Sequence, residues 1–425
     1  MPNARLLMTF PVTATSHTLA EYRARGGYGA LEKALRQMTP QQVTAEVNAS
    51  GIQGRGGAAF PMGRKWGVIH PNDGQPHYLC ANADEGEPGT FKDRWILENA
   101  PHLLLESMVI AAYALEVRHA FVYIRGEFDL PYRRLAGALE EAYAAGYLGA
   151  DIIGTGFACD IVVYRGGGSY VCGEASALIT SIEGKRGYPR NRPPRLTVRG
   201  LYQRPTVVNN VETLSNIAWI VNHGGEAFSK VGTPKNPGTR LVSISGHINK
   251  PGVYEIEAGY PWARFIYEDC GGMQNGLALK GVIPGGISTK VLTGAEIESL
   301  HFDSQEMEAA GSSLGSGGTI AIADGTCMVR LLQVMLRFYH HESCGQCTPC
   351  REGMGWLHRI IDRIVDGQGR PEDIERLYSI SRLNDGTTIC GMGDAAGYAT
   401  VGIIAKYRDE FEHWIRTGRS LHGGR

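Results

Sequence analysis

The chain has 425 residues, 43% of them hydrophobic, with a formal net charge of −1 and a pI near 6.9. That length is enough to bury the cores of two to four domains, and the near-neutral balance argues against a nucleic-acid binder, for which a basic domain is expected. Gly is abundant at 57 residues with no repeat or low-complexity tract, which points to many tight loops around ligands rather than to a fibrous or disordered chain.

Residues 1–50 read as a helical N-terminal segment. The apolar run before Pro11 is too short for a signal peptide. Thr39-Pro40 has the form of an N-cap followed by proline at the first helical position, and Gly51 ends that helix. A Gly-rich loop over 51–67 follows, then a strand at 77–81 and a helix over 101–116 with an apolar face. The stretch 103–117 is the best candidate for a membrane span, but it carries Glu106 and Glu116, so no span is expected and any membrane link must come through partners. A strand at 120–124, a helix over 131–145 and a strand at 159–164 lead into the turn Gly166-Gly167-Gly168. Helices are expected over 173–182 and 212–222. This alternation predicts a mainly α/β domain over 51–235. Residues 232–238 read as a linker by composition. A β-rich module over 236–325 follows, with strands at 241–245, 252–256, 281–283 and 319–323 and a short helix over 262–270. From Val329 the pattern turns helical, with helices over 329–341, 351–365, 372–383 and 394–416 in a domain spanning 326–425.

Four segments carry candidate chemistry. In residues 54–66, Gly54, Gly56 and Gly57 lack Cβ atoms, so flat or anionic groups can approach the backbone closely. Arg55, Arg64 and Lys65 add positive charge, and Phe60 and Trp66 are free to stack on a ring or fill core. The segment contains G-x-G-x-x-A, but a helix rather than a strand precedes it, so it fails the dinucleotide-fold context; a phosphate loop and an ordinary tight loop both remain open. Residues 82–94 place Asn82, Asp84, Glu85 and Glu87 after a strand, where ribose-binding carboxylates of α/β sheets lie; a solvated acidic loop is the alternative. Residues 165–174 end in Gly173-Glu174. Asn209-Asn210 supplies paired amides suited to a flavin imide edge or a phosphate, although each of these last two segments taken singly reads as structural.

The fifth feature is Cys344, Cys347 and Cys350 in C-x2-C-x2-C, with Cys390 downstream. Zinc sites favour two separated C-x2-C pairs, whereas three tightly spaced thiolates and a distant fourth match a four-thiolate [4Fe–4S] site. Zinc and reduced buried thiols remain the alternatives. Cys80, Cys159, Cys172, Cys270 and Cys327 are scattered in apolar or Gly-rich settings and read as reduced thiols of a reducing compartment.

Taken together, residues 54–66, 82–94, 165–174, 205–213 and 342–351 with Cys390 resemble, in order, the flavin-carrying NADH dehydrogenase subunit of respiratory complex I, the F or 51-kDa subunit. The resemblance runs from about residue 20 to 420. It implies an FMN-binding Rossmann-like α/β domain, a β-grasp (ubiquitin-like, soluble ligand-binding) module and a C-terminal helical bundle holding a [4Fe–4S] cluster. It carries FMN contacts onto Gly54, Arg55, Gly56, Lys65, Asn82, Asp84, Glu85, Gly173, Glu174, Asn209 and Asn210, with Gly57 a further cofactor-binding candidate, NADH contacts onto Phe60 and Glu87, and cluster ligation onto Cys344, Cys347, Cys350 and Cys390. Hydride passes from NADH to FMN in this family, so no side-chain acid or base is required and no catalytic residue is assigned.

The implied partners are a [2Fe–2S] thioredoxin-like protein (the E subunit of complex I), a multi-cluster protein (the G subunit) and the remainder of complex I, with quinone as final acceptor. The implied place is the cytoplasmic side of a bacterial inner membrane. The diaphorase subunit of an NAD-linked formate dehydrogenase or soluble hydrogenase is the alternative reading; the absence of a visible fused [2Fe–2S] module favours the complex I form. Four positions depart from the family pattern: Ala59 and Met62 stand for Gly and Thr, Ala175 for a second Glu, and Arg192 for Lys.

Overall fold

The computed structural model describes residues 4–69 and 73–423. The expected helical start is only partly realised. Residues 4–18 form an irregular strap, because the buried Glu255 carboxylate accepts hydrogen bonds from the N–H groups of Leu6 (2.7 Å), Leu7 (3.0 Å) and Met8 (2.7 Å) and holds this segment against a distant strand. Three helices follow: α1 (Leu19–Ala24), α2 (Gly29–Gln37) and α3 (Pro40–Ala49). α3 starts as the sequence requires. Thr39 Oγ1 accepts from Gln42 N, Gln42 Oε1 accepts from Thr39 N, and Gly51 leaves the helix at φ +63°.

The next elements are α4 (Met62–Trp66), β1 (Tyr78–Ala83), α5 (Lys92–Asn99), α6 (Pro101–Ala114), β2 (His119–Ile124), α7 (Asp129–Ala144), β3 (Asp160–Arg165), α8 (Ala175–Ile182) and β4 (Thr206–Asn210). The four strands are parallel in the order β3-β2-β1-β4, with Ala81 opposite both Val122 and Asn209. The order reverses between β1 and β4, and the crevice beyond the carboxyl ends of such strands is where α/β sheets bind ligands. Three of these elements were not expected from the sequence: α4 is a short helix inside the stretch read as a Gly-rich loop. β4 is a five-residue run, and α5 follows directly on the acidic loop. α6 corrects a second expectation: it is buried nearly all round rather than on one face, being enclosed by the sheet, α2, α7, α9 (Val211–Ser215) and α10 (Ile217–His223). Its Glu106 is tolerated there because it accepts from Tyr28 N (3.0 Å) and Leu31 N (2.9 Å) at the start of α2, and from the Tyr22 hydroxyl.

After α11 (Gly225–Ser229), the expected linker is instead a tight hairpin of β5 (Gly232–Thr233) and β6 (Asn236–Pro237). Asn236 is buried and donates to Asp303 Oδ2 at 3.0 Å, so the segment is packed into the fold rather than free. β7 (Thr239–Gly246), β8 (Gly252–Glu257), α12 (Trp262–Arg264), β9 (Leu279–Ile283), β10 (Leu292–Thr293), α13 (Gly294–Glu298), α14 (Ser304–Ala309) and β11 (Gly318–Ala323) build the second layer. Its five strands run in the order β10-β9-β11-β7-β8, with β11 parallel to β7 and the other pairs antiparallel. Trp262 stacks on Phe302 in its core, at 3.7 Å between ring centroids.

The last four helices are α15 (Met328–Glu342), α16 (Thr348–Arg363), α17 (Asp373–Asn384) and α18 (Met392–Thr417). They pack around Leu332, Leu336, Leu357, Ile361, Leu377 and Phe411. No helix among the described residues is long and apolar enough to cross a membrane.

Candidate functional site

A cavity of about 250 Å³ opens beyond the carboxyl ends of β1 and β4. Gly56 and Gly57 form one wall, the 82–93 segment another, and Tyr170, Gly173 and Glu174 a third. The wall is closed by Ser288 and Ser316 from the second layer and by Cys390, Gly391 and Met392 from the helical bundle. All three units of the chain therefore meet at one space. Two glycines keep the backbone close to this space. A Cβ on Gly56 would lie 3.2 Å from Asn210 Cβ, and Gly57 stands at φ +112°.

The side chains around this space are ordered by distinct partners. Asn82 donates through Nδ2 to Gly173 O (2.8 Å) and accepts from Asp84 N (3.0 Å), which ties the end of β1 to the turn before α8. Glu174 caps α8, accepting from Ser176 N (2.8 Å) and Ala177 N (3.0 Å), and pairs with Arg192 at 2.7 Å. Glu87 accepts from Ser288 N at 2.7 Å and from the Tyr170 hydroxyl; burial pushes its carboxyl up, against the pull of those two bonds. Lys92 and Arg94, its nearest cations in sequence, are engaged elsewhere. Lys92 is buried and lies 2.8 Å from both Asp93 and Glu212, and Arg94 pairs with Glu98 at 2.7 Å. Burial opposes the Lys92 charge, yet Asp93, Glu212 and Glu85 together hold its ammonium above the ordinary lysine range. Asp84 is the exception, with Oδ2 buried and without a hydrogen-bond partner.

The structure brings Gly56, Gly57, Asn82, Asp84, Glu85, Glu87, Gly173, Glu174 and Asn210 to the cavity wall, and it turns other candidates elsewhere. Asn209 and Asn210 do not act as a pair. Alternation along β4 sends them to opposite faces, so Asn209 accepts from Trp66 Nε1 in the core (3.2 Å) while Asn210 faces the cavity and caps α9. Arg55 reaches the wall, but its guanidinium donates to Pro237 O (2.9 Å) inside the protein. Lys65 donates to Val208 O (2.8 Å), and burial brings its ammonium down to about 8 with Arg192 adding repulsion. Gly54 and Phe60 close their loop through a 3.0 Å backbone bond and lie off the wall, with Phe60 46% exposed. Glu85 accepts from Asp93 N (2.9 Å) and Arg94 N (3.0 Å), so its carboxylate is spent on the start of α5. Sequence reading missed Lys92, Asp93, Tyr170, Ser288 and Ser316. Lys92, Asp93 and Tyr170 stood inside the motifs, whereas the two serines are brought in only by the fold.

The four C-terminal cysteines converge where α15 ends and α16 and α18 begin. Cys347 is the N-cap residue of α16 and Cys350 lies in its first turn. Cys347 Sγ accepts from the N–H of Ile389, the neighbour of Cys390, at 3.4 Å, and Cys350 Sγ lies 3.2 Å from Ser343 Oγ. Cys344 and Cys390 both pack against the apolar cluster that holds Val171 and Leu178. Two long helices thus direct their N-terminal partial positive charge at the thiols, which suits an anionic iron–sulfur centre. Among the described residues no three His, Cys, Asp or Glu side chains converge on one ion position. A cubane makes no such demand, because each thiolate takes its own iron.

Comparison with known proteins matches three family models to these three units: the Nuo51 FMN-binding domain over residues 47–219, the SLBB domain over 240–321, and the NADH-ubiquinone oxidoreductase-F iron-sulfur binding region over 330–414. An F subunit of NADH-quinone oxidoreductase from Rhizobium meliloti (strain 1021), the second of that name, is 46% identical over 404 residues, covering 95% of this chain and 96% of the relative. The F subunit of the Streptomyces coelicolor NADH-quinone oxidoreductase is 45% identical over 416 residues, covering 98% and 92%. Among solved structures, the H2-reduced NAD+-reducing [NiFe]-hydrogenase superposes with a TM-score of 0.82 at 31% identity, over 98% of this chain and 68% of that one. The chain therefore belongs to the family of NADH-quinone oxidoreductase F subunits, the flavin-carrying NADH dehydrogenase subunit of respiratory complex I.

Proposed function

We propose that this chain oxidises NADH at FMN held in the cavity and delivers electrons one at a time to a [4Fe–4S] cluster held by Cys344, Cys347, Cys350 and Cys390. The observation that carries the reading is the shared wall: Cys390 lines the same cavity as Asn82, Gly173 and Asn210. When bound, FMN supplies the hydride acceptor and the conversion from two-electron to one-electron transfer, and the cluster supplies single-electron uptake. The protein's own part is placement. Gly56 and Gly57 clear space for a flat ring, Asn82 and Asn210 fix polar edges, and Glu87, held by Tyr170 and Ser288, presents a carboxylate to the nucleotide. Phe60, exposed on the glycine loop outside the lined wall, offers a stacking surface to the nicotinamide nucleotide. Ser288 and Ser316 from the second layer and Cys390 from the bundle complete the wall around that space.

The onward partners in this reading are the [2Fe–2S] E subunit and the multi-cluster G subunit of complex I, with quinone as final acceptor and the assembly on the cytoplasmic side of the membrane. The hydrogenase neighbour supports the diaphorase alternative, but its 31% identity stands below the 46% shared with the complex I relatives. Purified chain carrying FMN should reduce ferricyanide with NADH and fail to reduce quinone without its partners. Direct quinone reduction by the single chain, with oxygen excluded, contradicts the reading.

A further inference from the structure

Five carboxyl groups line the cavity, those of Asp84, Glu85, Glu87, Asp93 and Glu174, while Arg55 and Lys92 are its cations. A flavin nucleotide brings a doubly negative phosphate to the same space. Like charges in a partly desolvated site repel more strongly than in water, so each carboxyl has to be paired, tied to donors or neutral. Four are tied. Glu85 accepts two N–H groups of α5, and Glu87 accepts from Tyr170 and Ser288. Asp93 is paired with Lys92, and Glu174 with Arg192 and the start of α8.

Asp84 is different. It sits just beyond β1, 8% exposed, with Oδ2 buried and unpartnered. Arg125 faces it, but Arg125 Nη1 is committed to Glu85 O (2.6 Å) and its other nitrogens to Glu127. Glu127 and Glu342 add negative charge from the β2 end and from α15, while Cys172 and Tyr123 lie on the remaining side. Burial pushes the Asp84 carboxyl up to about 7, with Arg125 pulling the other way.

We propose that Asp84 binds the flavin as a neutral carboxylic acid, donating its proton in a hydrogen bond to a flavin acceptor, so that flavin binding takes up one proton at this side chain. The inference rests on the flavin reading of the cavity. The balance is simple: ionised Asp84, one solvent proton and flavin give the complex with Asp84 protonated, and no electron moves. Below the Asp84 range the proton is already present and affinity is full. Above it, affinity falls as pH rises.

The test uses the full-length chain with its cluster in place and its flavin removed. Riboflavin and FMN are titrated calorimetrically between about pH 7.5 and 9, above the phosphate's second ionisation near pH 6, in two buffers of different ionisation enthalpy. The wild type should take up close to one proton per flavin and lose about tenfold in affinity per pH unit, with both ligands. Asp84→Asn keeps a donor but has no proton to exchange, so it should bind with no uptake and a flat profile. Binding by the wild type without proton uptake overturns the proposal, as does an unchanged slope in Asp84→Asn. The wild-type proton count decides the matter alone if the variant does not fold. Failure of the wild type to bind either ligand at any pH overturns the flavin reading itself.

Discussion

Ala59 stands at φ +50° in the loop beside the cavity, where a Cβ crowds the backbone and glycine is at ease. The family pattern has glycine there, so Ala59→Gly should relieve strain of about 1 kcal/mol. Scanning calorimetry should show a higher midpoint for the transition in which flavin is released; a lower midpoint contradicts the strain. Glu87 makes the second residue-scale case. Its partners are Tyr170 and Ser288 rather than Lys92 or Arg94, so its charge stays in the cavity instead of being spent on a surface pair. A carboxylate there accepts from ribose hydroxyls and repels a 2′-phosphate. Glu87→Gln should raise kcat/KM for NADPH several-fold while changing NADH turnover much less. An unchanged NADPH-to-NADH ratio at several ionic strengths would place discrimination elsewhere. Motif spacing pointed to Asn82, Asp84 and Glu87 together because all three stand at or just beyond one strand end, and all three line the cavity. It could not separate Asn209 from Asn210, because which amide faces a ligand depends on the phase of the pleat, and adjacent residues in a strand face opposite ways.

At the scale of elements, α5 shows how a site residue can act at one remove. Glu85 lies on the cavity wall, yet its two oxygens satisfy the free N–H groups of Asp93 and Arg94 at the start of α5. That helix carries Lys92 and Asp93 to the cavity. Glu85→Ala should therefore destabilise the protein by about 1–3 kcal/mol and weaken flavin binding indirectly. Hydrogen exchange at the amides of Asp93 and Arg94 should accelerate with it. Loss of flavin with no change in that exchange would assign Glu85 a direct contact instead. The helix α5 itself was not legible, since its apolar positions are few and its cap comes from eight residues upstream. Elements with strong local signals were. The α3 cap, the strand at 78–83 and the four C-terminal helices fall close to their expected bounds. The hairpin at 232–237 read as a linker because Gly and Pro mark turns equally well in packed and free chain, and it is partners far away in sequence, Asp303 and Arg55 among them, that show this one is packed.

For the whole molecule, the arrangement places the start of α18 against the cavity on one side and against Cys347 on the other. In the proposed reading Cys390 is thus the junction between the flavin space and the cluster, whereas Cys172 is buried within the apolar cluster beside Leu178. Cys390→Ser should lower iron content and acid-labile sulfide, and Cys172→Ala should leave both unchanged. Loss of iron in Cys172→Ala with the fold intact would redraw the ligand set. That three units meet at one cavity was not legible from the sequence alone, because periodicity reports faces of single elements and not how domains dock. Ser288 and Ser316 belong to the wall only through that docking.

The central claim is that electrons from NADH pass from the cavity to the cysteine cluster within this one chain. It is tested most directly by anaerobic electron paramagnetic resonance of the purified chain, with and without FMN, after addition of NADH. The account predicts a reduced [4Fe–4S] signal with FMN present and none in the deflavinated chain until FMN is restored. A cluster that stays oxidised in the flavin-loaded chain, or that is reduced by NADH equally well without flavin, would contradict it.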